Sequence, residues 1–528
     1  MSTQLLLGHL PIFFHPAPRD ILVIGLGSGV TVGAITQHPV RSIKVVEIEP
    51  AVVEAAVFFN KHSRNALADP RVDLVIADGR NVLRSSDKKY DIISSEPSNP
   101  WVKGIGNLFS LEFYQLARAR LNPSGLFCQW VQGYALHPED FRMVVNTFRS
   151  VFPHTTVWNS TQGDFLLIGA GRPLALDYLR LSTQFDMNRG LREDMTRLGM
   201  RAPEALVADF VLGEVETARY VAGARLNTDD LPLLEFSAPL SLYADGTFEL
   251  NLNELKRFRV SESSFPMNLA KDIRSSAQFQ YDLGMAFLPK NEQQEAMDRF
   301  SAALALDPRH VPSLLAVGDV YHQLKEPGKA EKSFQAALRV NPKSASAHVG
   351  LARVSRNTEP ALAIDHLKRA VALEPNNSSH RWLLGDFYRS AGRFKEAIAS
   401  YLAVQEVWGR DVRFLRALAT AYSGAGQGSE AIKVLRDALM EDPQDGKTRV
   451  QLGGAYVRAK AYDRAEQQFR AALAFNPMCP ACYAGLGGIH LARGERQQAA
   501  RFLQKALSLD PSYTAARIAL DGLADAPS

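Results

Sequence analysis

The sequence predicts an α/β domain followed by an all-α solenoid, and two patterns carry that prediction. Residues 20–170 alternate short apolar runs with amphipathic stretches, the pattern of strands covered by helices. From about residue 277 one phrase returns at nearly constant spacing: "ALALDP", "ALRVNP", "AVALEP", "ALMEDP", "ALAFNP", "ALSLDP". The length of 528 residues exceeds one core, so two to four domains are expected.

Taken in order, "LLLGHLPIFF" near the start is interrupted by His9 and Pro11 and lacks the basic leader of a signal peptide, so the chain is read as entering its first strand directly. "DILVIGLGSG" is a buried strand running into a glycine-rich turn. "IKVVEIEP" and "VDLVIADG" are strands ending in acids, and "YDIISSEP" and "GLFCQWV" are a fourth and a fifth. The βαβαβ order implies a parallel sheet covered on both faces. "TTVWNSTQGDFLLIGA" reads as a hairpin of two more strands. In "LNTDDLPLLEFSAPLSLY" (226–243), Asp229 and Asp230 sit in a turn before a strand, where paired acids serve as caps more often than as site residues. The expected boundaries are 1–175 for the nucleoside-binding domain, 176–243 for its extension and 244–276 for a linker. Repeats are expected over 277–512, with a capping helix and tail over 513–528.

The repeat is read from Pro308, Pro342, Pro375, Pro443, Pro477 and Pro511, spaced 33 or 34 residues apart with one doubled gap in which Gly409 replaces a proline. Gly318, Tyr321, Ala330, Phe334 and Ala337 of one unit match Gly453, Tyr456, Ala465, Phe469 and Ala472 of another. Small residues let two helices approach, aromatics fill the gap, and proline ends the second helix. This resembles the tetratricopeptide repeat (TPR), in seven units. In that family the first helix of each unit lines a concave surface. The resemblance places Arg353, Arg356, Trp382, Arg389, Arg413 and Arg416 there, as a groove for a protein or peptide partner of acidic character. Units six and seven offer Val450, Gly454, Ala484 and Gly488 instead. "CPAC" at Cys479–Cys482 is read as small apolar residues at a helix start, in preference to a redox pair or half a zinc site.

Composition narrows the function. The hydrophobic fraction is 46%, the charged fraction 22% and the net charge +4, which gives no reason to expect nucleic acid or an anionic membrane as main partner. No apolar run reaches the roughly 18 residues of a membrane span. Three cysteines exclude a disulfide scaffold and fit a reducing compartment, so a cytoplasmic location is expected.

The chemistry gathers at strand ends. Gly25, Gly27 and Gly29, with Ser28 among them, let the backbone turn tightly and approach a ligand. Glu47, about 20 residues on, suits the hydroxyls of a ribose. Asp78, followed by Gly79, suits an adenine amino group, and three such features in order point to nucleoside binding. Glu96 in "SSEPSNPW" is a carboxylate leaving a core strand, beside Pro97, Asn99, Pro100 and Trp101.

The pieces "HPAPRDILVIGLGSG", "VVEIEPAVVE", "DPRVDLVIADGRNVL", "YDIISSEPSNP" and "LFSLEFYQLARARLNPSGLFCQ" resemble, in this order, the spermidine synthase (aminopropyltransferase) family. The resemblance implies a Rossmann-like sheet of S-adenosylmethionine-methyltransferase type and decarboxylated S-adenosylmethionine as donor, with a small amine as acceptor and no metal. It makes Glu96 the catalytic base, with Asn99, Trp101 and Gln129 toward the amine. Asn99 and Ser28 stand where the family typically has aspartates. Two other readings stay open: "SNPW" loosely resembles the loop of amino-methyltransferases that use intact S-adenosylmethionine, and an inactive domain with repeats would be a scaffold.

Overall fold

The computed structural model describes residues 2–161, 163–259, 265–268, 273 and 275–524. Parts of the expected linker and the tail beyond 524 therefore lie outside the described residues. The chain forms two compact units, residues 1–313 and 314–528.

The first unit is built on an eight-stranded sheet of order β3-β2-β1-β4-β5-β7-β6-β8. Its strands are β1 Asp20–Ile24, β2 Ser42–Glu47, β3 Val72–Ile76, β4 Tyr90–Ser95, β5 Leu121–Gln132, β6 His154–Thr161, β7 Asp164–Ala170 and β8 Phe210–Leu212. β1 to β5 pair in parallel, and β7, β6 and β8 extend the edge antiparallel. β1 is buried along its whole length, as a strand covered on both faces must be. Because β1 lies between β2 and β4, successive connections leave it in opposite directions, which opens a crevice at the carboxyl ends of β1 and β4. The helices that frame it are α1 Ser2–Phe14, α2 Val30–Ile35, α3 Pro50–Ala56, α4 Asn60–Ser63, α5 Gly79–Ser85, α6 Leu111–Ala119 and α7 Pro138–Val151.

α1 corrects the sequence expectation of a broken apolar stretch. Proline at position 11 cannot donate to the carbonyl of Leu7, but the Ser94 hydroxyl on β4 donates to that oxygen at 3.3 Å, so the helix runs on. Gly8 lets α1 lie on α2, since a Cβ there would sit 2.6 Å from that of Ala34.

The His9 ring, fully buried, completes the anchor. Its Nδ1 lies 2.8 Å from His38 Nε2, and its Nε2 lies 3.3 Å from Asp194, which also accepts from Arg64 at 2.9 Å. Burial depresses both histidines: His38 falls well below its usual value, and His9 falls although Asp194 opposes the shift. Folded pKa values below the unfolded value of about 6.5 mean that the unfolded chain binds more protons beneath that pH. This contribution to stability is therefore present above about pH 6.5 and lost as pH falls toward the folded values. Urea titrations at pH 7.5 and 5.5 should show a larger drop for wild type than for His38→Asn.

Two expectations in the extension need correction. The stretch after Asp229 and Asp230 is not a strand but the short helix Leu233–Ser237. Buried Asn227 accepts from Leu234 N at 3.1 Å and donates to the carbonyls of Gly106 and Phe109 at 3.3 Å, pinning a turn that favours a helix start. β8, which the sequence reading lacked, pairs with the edge of β6.

The first repeat-like helix pair, Ala277–Phe287 and Gln293–Leu306, belongs to the first unit. Six further pairs and a final helix, Thr514–Ala524, follow among the described residues. The expected packing logic is visible: the Phe334 ring lies between Gly318 and Gly350, where added Cβ atoms would meet it at 2.6 and 2.4 Å. Phe469 lies between Gly453 and Gly485 in the same way. At the missing proline, the chain makes a short extra helix, Gln405–Trp408, and Trp408 packs on Trp382 with centroids 4.8 Å apart.

"CPAC" is also corrected. Cys479 and Cys482 are disulfide-bonded, their Cα atoms 5.4 Å apart across the first turn of the helix Pro480–Ala492. That spacing lies within bridging range. Among the described residues, no helix is long and apolar enough to cross a membrane.

Candidate active site

The glycine loop after β1 has positive φ at Gly25 (91°), Gly27 (51°) and Gly29 (76°). Gly25 faces the start of the Glu96 loop so closely that an added Cβ would lie 2.3 Å from the Glu96 carbonyl oxygen. Gly25→Ala combines that clash with an unfavourable φ and should cost at least about 1–3 kcal/mol, readable as a fall in the denaturant midpoint.

Glu47 is not the free strand-end acid that the sequence suggested. It is only 7% exposed, and its two oxygens accept from Leu26 N at 2.8 Å and Glu49 N at 3.0 Å, so it holds the glycine loop. A carboxylate has about four acceptor sites, and these bonds use two. Beside it, Ile48 is 64% exposed and offers an apolar face at the end of β2. Asp78 caps α5, accepting from Asn81 N at 2.7 Å. Gly79 is buried, where a Cβ would press on Ile24 at 2.6 Å, so its small size serves packing.

Glu96 is enclosed by groups remote in sequence. Gln4 Nε2 of α1 and Thr31 Oγ1 of α2 each donate to its carboxylate at 2.8 Å, and Ser28 Oγ donates to Gln4 Oε1 at 2.7 Å. Burial lifts the Glu96 carboxyl to about 7, against the pull of the Thr31 and Gln4 bonds and with a further push from the charge of Asp164. Asp164, at the start of β7, is itself raised by burial and is bonded by Thr3 Oγ1 at 2.6 Å and by the Trp130 side chain.

Strand alternation puts Glu96, Trp130, Gln132 and Asp164 on the face that α1 covers, with Gln132 directly opposite Asp164 in the β5–β7 register. Gln132 is fully buried, and neither of its amide atoms has a hydrogen-bond partner among the described residues. Gln129 falls on the opposite face, fully buried and donating to the Trp130 carbonyl at 2.9 Å, so it does not join Glu96 as expected. Asn99 Oδ1 accepts from the Tyr134 hydroxyl at 3.3 Å, and the Trp101 ring meets Tyr134 edge-on at 6.1 Å, forming a rim. Asp229 pairs with Arg80 on α5, which keeps its carboxyl low and ties the extension down.

Sequence reasoning missed Thr3, Gln4, Thr31, Gln132 and Asp164. The polar "STQ" at the head of an apolar run and the acid in "QGDF" were the available signals, and both read as ordinary ends and turns.

On the repeats, Arg389, Arg413 and Arg416 line one groove of about 980 Å³, whereas Arg353, Arg356 and Trp382 do not. Each of the three is already paired, with Asp386 at 3.2 Å, Asp411 at 2.8 Å and Asp445 at 3.3 Å. Arg353 pairs loosely with Asp319 at 3.8 Å, and Arg356 bonds Ser390 and lies over the Phe387 ring. Trp382 is packed between Trp408 and Phe414 rather than presented as an anchor.

Residues 1–161 match the spermine/spermidine synthase domain. Tetratricopeptide repeats are matched over 311–344, 355–411, 422–487 and 462–514. The chain is 31% identical over 152 residues to a spermidine synthase of Dictyostelium discoideum, covering 29% of this chain and 53% of that protein. It is 31% identical over 154 residues to a polyamine aminopropyltransferase of Thermotoga petrophila, covering 29% and 52%. The crystal structure of spermidine synthase from Thermotoga maritima aligns with 42% of this chain and 74% of its own, at 24% identity and a TM-score of 0.35. The chain thus spans about half the length of the curated relatives it matches. Fold and comparisons define a class, a Rossmann-like α/β domain joined to a helical repeat array. More particularly, the chain carries a spermidine synthase-like domain followed by tetratricopeptide repeats.

Proposed function

We propose that the α/β domain transfers an aminopropyl group from decarboxylated S-adenosylmethionine to a small amine. The observation that carries this is Glu96, a carboxyl raised to about 7 beside the glycine loop at the mouth of β1 and β4. The sulfonium donor supplies an activated carbon and a thioether leaving group. The acceptor amine, with a free pKa near 10.4, arrives protonated and must lose a proton to become nucleophilic. Glu96 takes that proton as the nitrogen lone pair forms the new C–N bond and the C–S pair returns to sulfur. Asp164 is proposed as the second negative charge, holding the far ammonium of a diamine where Asn99 supplies none. Gln4 and Thr31 position Glu96, Ile48 offers a surface for the base, and Glu47 and Asp78 keep acceptor capacity for ribose and adenine. Among the described residues, no group of three or more His, Cys, Asp or Glu is placed to hold a metal ion.

Calorimetry of the full chain with decarboxylated and intact S-adenosylmethionine tests this reading, combined with product analysis on diamines. Asp78→Ala should weaken donor binding at least tenfold, about 1.4 kcal/mol, without loss of fold. Glu47→Ala should weaken it too and also loosen the glycine loop. A domain that binds neither donor is a scaffold. Methyl transfer finds less support, since the Asn99 amide oxygen is engaged by Tyr134. The repeats are proposed to hold a protein partner. An acidic segment in the Arg389–Arg413–Arg416 groove would have to displace Asp386, Asp411 and Asp445, so its binding should weaken as salt rises.

A further inference from the structure

The Cys479–Cys482 pair occupies positions that the other repeats fill differently. The first helices of four other units are capped by Ser344, Asn377, Asp411 and Asp445, each accepting a backbone N–H through its side chain. In the last unit that place is held by Cys479, whose sulfur accepts from Cys482 N at 3.1 Å. Cysteine is not among the good N-caps, so capping does not account for it. Cys482, three residues on, takes the inward position that Ala347 and Thr448 take in other units.

The two sulfurs are also unlike each other. Cys482 is fully buried in the repeat core, whereas Cys479 is partly exposed and lines the groove of about 980 Å³ together with Arg413, Arg416 and Lys447. Exposed Phe475 and Met478 adjoin it. A thiolate at Cys479 would sit at the positive end of a 13-residue helix, which favours the ionised form, in a groove whose arginines are paired with Asp386, Asp411 and Asp445. Cys482, buried, is reached only through its partner. Cys128, the remaining cysteine, is buried in β5 with its thiol pushed far up, so it is chemically silent.

We propose that this pair is a thiol–disulfide exchange site whose substrate is a protein dithiol bound in the groove. A thiolate of the substrate attacks Cys479 Sγ, the S–S bond breaks, and Cys482 leaves as a thiolate that takes up a proton. The second substrate thiolate then attacks the substrate sulfur of the mixed disulfide and expels Cys479. Two electrons pass to the pair, and the substrate leaves as a disulfide. The reverse sequence reduces a substrate disulfide. Exchange through one exposed and one protected sulfur is the arrangement such chemistry needs.

The test uses the full chain and an aromatic disulfide reagent as probe. In Cys482→Ser, Cys479 should react at pH 7 roughly tenfold or more faster than free cysteine, whereas Cys482 in Cys479→Ser should react more slowly than free cysteine. A dithiol-containing peptide should form a mixed disulfide that accumulates in Cys482→Ser and is resolved in wild type. In wild type, dithiothreitol should reduce the pair while circular dichroism and the melting temperature stay unchanged. A Cys479 no faster than free cysteine, or a disulfide reduced only when the repeats unfold, would show a structural staple and overturn the proposal. Should either serine variant fail to fold, the wild-type reduction experiment decides.

Discussion

Glu96→Gln should lower aminopropyl transfer by roughly a hundredfold to ten-thousandfold, the usual contribution of a positioned general base, with donor affinity unchanged. The substitution preserves the shape of the side chain. Its amide oxygen can accept from Gln4, and the Thr31 hydroxyl can rotate to accept where it now donates. What is lost is the proton acceptor. The wild-type rate should rise with pH through about 7, because Glu96 must be ionised to act and burial has lifted it to that value. Gln4→Ala removes one bond to the carboxylate and further raises its pKa, so its rate profile should move to higher pH, whereas a purely structural loss would lower the rate at every pH. Folding should not suffer in Glu96→Gln, since a neutral amide is easier to bury than a carboxylate. Full activity in the glutamine variant would remove Glu96 as the base. A wild type inert with both donors would instead remove the proposed reaction.

Lys290→Ala should destabilise the first unit by about 3–5 kcal/mol, the usual result of leaving a buried charge without its partner. Lys290 ends the short 3-10 turn Leu288–Lys290 that follows the first helix of the first repeat-like pair, and its ammonium is ion-paired with Asp209. It also donates to the carbonyls of Asn159 at 2.9 Å and Ala208 at 3.0 Å. The side chains of Asp209 and Lys290 are 1% and 10% exposed, so water replaces little of what is lost. Burial already lifts the Asp209 carboxyl to about 6, with Lys290 holding it down. Removing the lysine lifts it further. Below about pH 6 the acid is protonated and neutral, so the gap between wild type and variant should narrow as pH falls. Adding Asp209→Asn to Lys290→Met should recover most of the loss. Denaturant titrations at pH 5 and 8 check both points, and a gap independent of pH would mean that packing, not charge, holds this joint.

The order of strands, the glycine loop and the repeat were legible in the sequence because each rests on short-range periodicity. β1 reads as a strand that is apolar after Asp20, and glycines fall where φ is positive. Phe334 and its facing glycines recur at the repeat spacing. Glu96 stood out by the same means, as a carboxylate just beyond a buried strand. Its working environment did not, because Gln4, Thr31 and Asp164 lie 92, 65 and 68 residues away and no local pattern marks them. α1 is the clearest case: proline within an apolar run predicts a break, and only a hydroxyl on β4, 87 residues distant, supplies what the proline withholds. The His9–His38–Asp194 cluster and the Lys290–Asp209 joint have the same origin. Local pattern determines which segments are strands and helices, since backbone and side-chain periodicity act within a few residues. Which polar groups are buried, paired or left reactive depends on what the fold brings against them, and that the tertiary structure alone decides.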